Sequence, residues 1–399
     1  MREFRQKDSK LDPIAAKIVA GERLSTDDAM VLFGSSDLVG LGQLADFANR
    51  RKNGNRVFFA ANQHINPTNV CVLRHTCVFC SFARTPKESE AYTRTLEEVF
   101  AEAAEAGASP TREFHIVGGL HPKLRLSYYE DMFRGLKERH PDVHIKALTA
   151  VEIAHLARVE KTSTITVLER LRAAGLDTLP GGGAEVFSPA IRTTIAERKL
   201  AGEQWLRVHR EAHTMGIRSN CTMLYGHVET LNDRVTHLAL LRGLQDETGG
   251  FLTYIPLAYH PDHNKLGEEL GREGTATSGF DDLKNIAIGR LFLDNIDHVK
   301  THWPMVTQFL SQVALHFGCD DLEGTVVYER VYHDAGAVTP MMMSYGGIVR
   351  FIGAAGKVPA ERDALYNTLR TFASDDPIFT PSDNERTDEL AQLSGLGAT

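Results

Sequence analysis

The sequence is poor in cysteine, has no excess of basic residues and contains no long apolar run. Five cysteines among 399 residues are too few for a disulfide framework, which favours a reducing compartment. A formal net charge of −8 argues against a nucleic-acid-binding protein that depends on a strongly basic surface. No uninterrupted apolar stretch approaches the roughly 20 residues of a membrane span, and the opening residues lack the apolar centre of a secretory signal. We therefore expect a soluble, cytoplasmic protein that binds neither nucleic acid nor membrane.

The composition is otherwise that of an ordinary globular protein. Hydrophobic residues make up 42% of the chain and charged residues 24%, and the length suffices for one barrel-sized domain or two ordinary ones. The spacing of apolar residues from about residue 10 to 52 is helical, and Ser25 before Asp27 and Asp28 is typical of a helix N-terminus. We interpret residues 1–54 as a helical N-terminal extension.

From residue 56 onwards, short runs rich in β-branched residues alternate with amphipathic stretches. Strands that alternate with helices pair in parallel. Eight such units in roughly 270 residues match an α/β fold of the (β/α)8 barrel type better than an open doubly wound sheet, with a partial barrel as the alternative. The predicted strands cover residues 56–70, 113–119, 143–149, 176–182, 218–226, 251–258, 298–303 and 324–328. The predicted barrel spans 55–330, and residues 331–399 form a predicted C-terminal helical extension with a polar, loosely ordered tail.

Three of the five cysteines lie within ten residues, directly after the first predicted strand. In "CVLRHTCVFC", five residues separate Cys71 from Cys77 and two separate Cys77 from Cys80. A structural zinc site normally has four ligands, so His64 or His75 would have to complete it, and no second ligand pair follows at a typical spacing. An iron–sulfur cubane is the other reading, because three thiolates leave one iron open for a substrate or cofactor.

This loop resembles the signature of the radical S-adenosylmethionine (SAM) enzymes. That family carries three cysteines, usually with the spacing C-x3-C-x2-C, after the first strand of a complete or partial barrel, and an aromatic residue precedes the last cysteine. Phe79 occupies the aromatic place, while the gap after Cys71 is two residues longer than usual. The resemblance implies a [4Fe-4S] cluster on Cys71, Cys77 and Cys80, whose open iron chelates the methionine part of SAM.

The same resemblance suggests residues around the cofactor and the substrate. Gly118 and Gly119 lie where the family binds the methionine amino group through backbone carbonyls, and a glycine pair after a strand admits a close neighbour. Glu185 follows "PGGG" and suits a ribose or amine contact. The residues implied in cofactor binding are Phe79, Gly118, Gly119, Glu185 and Glu229. The candidates for binding an anionic substrate are Arg84, His260, Lys300 and His302.

Longer phrases, including "LPGGGAEVFSP" and "SNCTMLYGHVET", look like the aminofutalosine synthase branch of that family over roughly residues 55 to 340. This implies a transferase of the futalosine route to menaquinone. The enzyme would add a 5′-deoxyadenosyl radical to 3-[(1-carboxyvinyl)oxy]benzoate and release CO2 and methionine, giving 6-amino-6-deoxyfutalosine. It would also need an external electron donor such as flavodoxin or ferredoxin.

Two alternatives stay open at the level of sequence. A sister radical enzyme would abstract hydrogen and release free 5′-deoxyadenosine; cyclic dehypoxanthinylfutalosine synthase and the enzymes that make the deazaflavin chromophore are such relatives. A protein of another class would use the three cysteines for zinc, in a structural or hydrolytic role.

Overall fold

The structure is a computed structural model that describes residues 6–104, 111–272, 274–275, 277–327 and 329–381. Within these ranges helices and strands alternate through most of the chain. The helices are α1 Asp12–Ala20, α2 Thr26–Gly34, α3 Leu38–Asn53, α4 Leu96–Ala104, α5 Leu126–Arg139, α6 Ala150–Glu160, α7 Thr164–Ala174, α8 Pro189–Ala196, α9 Gly202–Thr214, α10 Leu231–Thr248, α11 Lys265–Leu270, α12 Gly279–Phe292, α13 Trp303–Val306, α14 Gln308–Ala314 and α15 Tyr345–Ala354. Short 3₁₀ helices cover Ser9–Leu11 and Pro377–Phe379.

The strands form two sheets. They are β1 Arg56–Phe59, β2 Asn62–Ile65, β3 Glu113–Ile116, β4 His144–Ala147, β5 Ser219–Tyr225, β6 Phe251–Ala258, β7 His298–Thr301, β8 Asp321–Leu322, β9 Val358–Arg362 and β10 Thr368–Thr371. One sheet has the order β10-β9-β1-β8-β7-β6-β5, and the other has the order β2-β3-β4. Every pairing is parallel except that of β10 with β9. The predicted α/β class with a parallel sheet is confirmed.

Isolated bridges join the two sheets along two seams. On one side Lys146 of β4 pairs with Thr178, and Leu179 pairs with Ser219 of β5. On the other side Gln63 of β2 pairs with Val327, a few residues after β8. The parallel strands therefore follow one another in the order expected of a barrel, although single bridges rather than continuous ladders connect the sheets.

The first predicted strand differs from the structure, because residues 56–70 contain two short strands and the start of the cysteine loop. β1 pairs with β9, with Val57 opposite Pro359, and touches β8, whereas β2 pairs with β3. The chain changes sheets at Ala60, whose carbonyl lies so close to Gly324 that a Cβ there would come within 1.7 Å of the oxygen. β1 thus lies between β9 and β8 in the larger sheet, and β2 begins the smaller one.

The terminal extensions pack on this framework. Ser25 caps α2 through a reciprocal hydrogen-bonded pair with Asp28, which confirms the predicted helix start. The C-terminal extension contains α15 but also β9 and β10, so it is not purely helical as expected; the strands form because β1 offers a free edge to residues 358–362. The predicted loosely ordered tail beyond residue 381 lies outside the described residues. Among those that are described, no helix is both long and apolar enough to cross a bilayer.

Candidate active site

A cavity of about 310 Å³ opens at the carboxyl ends of the parallel strands. All three clustered cysteines line it, together with both predicted glycines and Glu185. Most of the remaining wall is apolar, with Leu73 and Leu120 among the contributors. Enzymes built on parallel α/β barrels carry their chemistry at this end of the strands, so the location agrees with a catalytic role.

The cysteine loop is held by backbone hydrogen bonds to neighbouring elements. The N–H of Cys71 donates to the carbonyl of Arg84 at 2.9 Å, and that of Val72 donates to Leu120 at 3.0 Å. Farther along, the N–H of Val78 donates to Ile195, at the end of α8. The longer gap between Cys71 and Cys77 is taken up by successive tight turns, in which Cys77 N–H reaches back to the carbonyl of Leu73 at 2.8 Å. The extra residues therefore leave all three thiols on one wall.

The acidity and the arrangement of the thiols both bear on metal binding. Burial raises the pKa of the Cys77 thiol and, less strongly, that of Cys71, so both would be protonated and unreactive without a metal. Among the described residues, no three His, Cys, Asp or Glu side chains are gathered tightly enough for a single ion. His75 is exposed, and His64 lies inside β2. A cubane binds each thiolate through a different iron, so three thiols spread over one wall fit it better than they fit one zinc.

The glycine pair after β3 is explained by close backbone packing. A Cβ on Gly119 would lie 2.3 Å from the carbonyl oxygen of Val70, and one on Gly118 would lie 2.9 Å from that of Thr68. Both contacts are with the segment that leads into Cys71. The Gly118 N–H also donates to the carboxylate of Glu152 at 2.9 Å. The pair thus seats the cysteine loop on the sheet; that its carbonyls bind the cofactor stays a prediction.

Glu185 lies at the cavity in a buried ion pair that the sequence did not indicate. Its carboxylate accepts a hydrogen bond from Nζ of Lys199 at 2.5 Å. Its backbone has a φ of 47°, a conformation that residues other than glycine rarely adopt. Nζ of Lys199 also lies 5.2 Å from the centre of the Phe79 ring, between two of the cysteines. Although burial opposes the charge, the Glu185 carboxylate raises the pKa of Lys199. A fixed positive charge therefore stands beside the cysteine loop.

Three predicted site residues do not reach the cavity. The Glu229 carboxylate is engaged by the N–H groups of Gly226 and His227 and by Arg234 at 2.8 Å, so it holds the turn after β5. Arg84 pairs with Glu90 at 2.6 Å and donates to a loop carbonyl. Lys300 is buried beneath the cavity and lies 3.3 Å from Glu323. That these three side chains contact the cofactor or the substrate stays a prediction, and their positions outside the cavity wall do not support it.

His260 and His302 do line the cavity. Nε2 of His260 lies 2.9 Å from the carbonyl of Met305, and Nδ1 of His302 lies 3.2 Å from the carboxylate of Glu323. They come from segments that follow β6 and β7, so the sequence placed them correctly at strand ends. Of these two histidines, only His302 has a buried ring nitrogen, Nε2, that lacks a hydrogen-bond partner in the described ranges.

Several residues that line the cavity were not among the predicted cofactor or substrate residues. Glu152 begins α6 as part of a capping box with Thr149, and burial raises its pKa to about 7. His64 and His115 face each other from β2 and β3 with ring centroids 4.7 Å apart. Glu323 follows β8. The two histidines and Glu323 share one signal, a polar residue within or directly after a strand, whereas the signal of Glu152 was the local capping box.

Under the cavity lies a layer of buried ion pairs. Lys146 of β4 contacts Glu113 of β3 at 2.6 Å, and Arg362 of β9 contacts Asp321 of β8 at 2.6 Å. Burial opposes the ionisation of Glu113, yet the nearby cations, Lys146 foremost, lower its pKa to about 2. Each charge in this layer has an opposite partner, as buried charges require.

Comparison with known proteins gives matches over almost the whole chain. The model of the radical SAM superfamily matches residues 65–241, and that of the CofH/MqnC C-terminal region matches residues 248–374. An aminodeoxyfutalosine synthase from Thermus thermophilus is 44% identical over 92% of this chain and 98% of its own length. One from Streptomyces coelicolor is 41% identical over 90% of this chain and 94% of its own. A cyclic dehypoxanthine futalosine synthase from Streptomyces coelicolor is 36% identical over 98% and 96%.

Solved structures agree on the fold. Methylornithine synthase superposes with a TM-score of 0.68 at 17% identity, covering 87% of this chain and 97% of its own. The FeFe-hydrogenase maturase HydG from Carboxydothermus hydrogenoformans gives 0.67 at 20% identity, covering 90% and 80%. At such identities the likeness concerns the fold alone.

Proposed function

Because the chain belongs to the radical SAM superfamily, in the branch that contains the aminodeoxyfutalosine synthases, we propose that it is itself an aminodeoxyfutalosine synthase. As a member of this superfamily it is an enzyme that uses a [4Fe-4S] cluster and SAM. The proposed reaction converts SAM and 3-[(1-carboxyvinyl)oxy]benzoate into 6-amino-6-deoxyfutalosine, methionine and CO2. This would be a step of menaquinone biosynthesis by the futalosine route.

One observation carries the choice of reaction. The two relatives named aminodeoxyfutalosine synthase are 44% and 41% identical, each over at least nine tenths of the chain, whereas the cyclic dehypoxanthine futalosine synthase is 36% identical over a similar span. A 4-hydroxyphenyl transferase from Methanoculleus marisnigri is 37% identical over 90% of the chain. The difference supports the first reaction, and only a product analysis can test it.

The residues on the cavity wall suit the cofactors. Cys71, Cys77 and Cys80 would hold the cluster, and Glu185 with Lys199 would offer one negative and one positive group to SAM. When bound, the cluster and SAM supply a 5′-deoxyadenosyl radical. The protein's part is to hold the substrate double bond close and to exclude competing hydrogen donors and water. The mostly apolar wall around Leu73 and Leu120 serves that purpose.

The test is an anaerobic incubation of reconstituted protein with reductant, SAM and the carboxyvinyloxybenzoate, analysed by mass spectrometry. We expect a product that contains the whole deoxyadenosyl group, formed together with one methionine per product. Cys80→Ala, treated in parallel, should form neither.

The sister enzymes define the contrary result. Free 5′-deoxyadenosine in place of an adduct would retain the radical chemistry and refute the proposed reaction. The protein would then be tested with dehypoxanthine futalosine, the substrate class indicated by the name of its 36% identical relative.

A further inference from the structure

Residues 329–339, which follow β8 and are called the wall segment below, form one side of the cavity. Four of these residues line it, namely Glu329, Val331, Tyr332 and Ala335. The ring centre of Tyr332 lies 5.0 Å from that of His302 and 6.2 Å from that of His260. Both histidines are candidates for substrate contacts. The position of the wall segment therefore decides how Tyr332 is presented to a molecule in the cavity.

The wall segment is attached to the loops that follow two other strands. Oγ1 of Thr339 donates to the carbonyl of Pro304, in α13 after β7, at 2.8 Å. Nδ1 of His263, on the loop after β6, lies 3.1 Å from the carbonyl of Asp334. The segment thus extends from the end of β8 to the loops beyond β6 and β7, next to the mouth of the cavity.

A single imidazole joins the two ends of the wall segment. Nδ1 of His333 lies 3.0 Å from the carboxylate of Glu329, and Nε2 lies 2.8 Å from the carbonyl oxygen of Thr339. An ionised carboxylate and a carbonyl can only accept hydrogen bonds, whereas a neutral imidazole has one N–H to donate. Both contacts are hydrogen bonds at the same time only when His333 is an imidazolium.

The partner of this imidazolium is a buried carboxylate. Glu329 is 1% exposed, and its oxygens also accept from the N–H of Tyr332. Although burial opposes ionisation, the hydrogen bond from His333 lowers the pKa of Glu329. Burial also opposes the charge on His333, yet its bond to Glu329 raises the pKa of the imidazole. A buried carboxylate requires such a counter-charge.

Other titratable groups lie near this pair. In the part of the chain that the structure describes, Glu329 is the charged side chain in contact with the His333 ring. His64 and His302 face Glu329 from across the cavity. A test of His333 must therefore separate its proton from theirs.

We propose that His333, held as an imidazolium, is a positioning residue that clamps the wall segment in place and so keeps Tyr332 in the wall that faces the bound substrate. The identity of that substrate rests on the proposed function. Loss of one proton from the ring removes one of its two hydrogen bonds and releases one end of the clamp.

The pH dependence of the clamp has a definite sign. The pKa of His333 is raised above its ordinary 6.5 when the segment is in place. The contribution of the clamp is therefore complete below pH 6.5 and is lost as the pH rises through the raised value.

The test combines two measurements on the reconstituted protein between pH 6 and 9. One is backbone hydrogen exchange of peptides from the wall segment, with each rate divided by the intrinsic rate at the same pH. The other is an anaerobic binding titration with the carboxyvinyloxybenzoate. The variants are Glu329→Gln and His333→Gln. His316→Gln is the matched control, because His316 is exposed and its ring pairs with the carbonyl of Ala355.

The two variants should differ in a way that depends on the proton. In Glu329→Gln the amide can donate to Nδ1 while its oxygen accepts from Tyr332, so a neutral His333 satisfies both ends. In the wild type we expect exchange protection and affinity to fall about tenfold towards pH 9, the effect of one hydrogen bond to a charged group. Glu329→Gln should retain protection at every pH, His333→Gln should be weakly protected at every pH, and the His316 control should match the wild type.

A structural role that does not depend on the proton would leave the protection of the wild type constant with pH, and this result would overturn the inference. A pH dependence that persists in His333→Gln would overturn it as well, since it would assign the titration to His64 or His302. The exchange measurement needs no substrate. If it shows the clamp and the wild-type protein does not bind the carboxyvinyloxybenzoate, the proposed function fails and the clamp is upheld.

Discussion

Replacing Gly119 by alanine tests how the cysteine loop is seated on the sheet. The backbone of Gly119 does not have a positive φ, so alanine can adopt its conformation and the effect is steric. The added Cβ would lie 2.3 Å from the carbonyl oxygen of Val70 and 2.7 Å from its carbon, more than 1 Å inside ordinary contact. These are main-chain atoms that cannot rotate away, so the loop itself must move.

The expected loss of stability follows from the rigidity of the neighbouring main chain. Overpacking in a well-packed interior typically destabilises a protein by about 1 to 3 kcal/mol, and the absence of a flexible side chain at this contact places Gly119→Ala in the upper part of that range. Val70 directly precedes Cys71, so the movement also displaces one thiol relative to the other two. We therefore expect lower cluster occupancy as well as lower stability.

Gly243→Ala provides the control, because Gly243 lies on an exposed face of α10 with nothing within 4 Å of the added carbon. That change should stabilise the protein by about 0.5 to 1 kcal/mol. Iron and sulfide per chain after anaerobic reconstitution, and the urea midpoint of the apoprotein, are the two measurements. Wild-type values of both in Gly119→Ala would refute the argument from backbone contact.

Three further expectations concern the cluster, the buried charges and the cofactor. Cys77→Ala or Cys80→Ala should abolish iron and sulfide binding and the visible absorption of the cluster while far-ultraviolet circular dichroism stays unchanged; a brown, iron-loaded variant would contradict the assignment. Lys146→Met leaves the Glu113 carboxylate buried without its partner and should cost roughly 3 to 5 kcal/mol at neutral pH in a denaturant titration. The pKa of Glu113 is about 2 in the folded protein and ordinarily 4.5. Its ionised form therefore contributes to the free energy of unfolding above pH 4.5, and this contribution is lost as the pH falls towards 2. The variant should not show this acid-dependent loss of stability. Glu185→Gln should weaken SAM binding about tenfold in equilibrium dialysis; an unchanged affinity would remove Glu185 from the cofactor site.

The sequence predicts the inner strands well because each is a short apolar run bounded by turns. The predicted segments 113–119, 218–226 and 251–258 contain β3, β5 and β6. The same reasoning fails at 176–182 and 324–328, where the structure has only isolated bridges and β8 lies earlier, at Asp321–Leu322. It also fails at 56–70, which is predicted as one strand. Only the partner strands show that β1 and β2 belong to different sheets, and β9 is almost three hundred residues away from β1.

The candidate site divides in the same way. The cysteines and the glycine pair are visible because their spacing is local. Lys199 and Glu323 are not, since their roles depend on partners brought close only by the fold. The sequence suggests Arg84 and Lys300 as cations that bind an anionic substrate. In the structure both charges are already paired within the protein.

The pairing of β1 with β9 has a consequence for the growing chain on the ribosome. Val57 finds its partner only when Pro359 has been made, about 300 residues later, which at about 5 to 20 residues per second means a wait of roughly 15 to 60 seconds. Arg362 arrives in the same stretch, so until then Asp321 is without the guanidinium that neutralises it. Inner strands that pair during synthesis therefore do so before β9 has joined β1 and before Arg362 has reached Asp321.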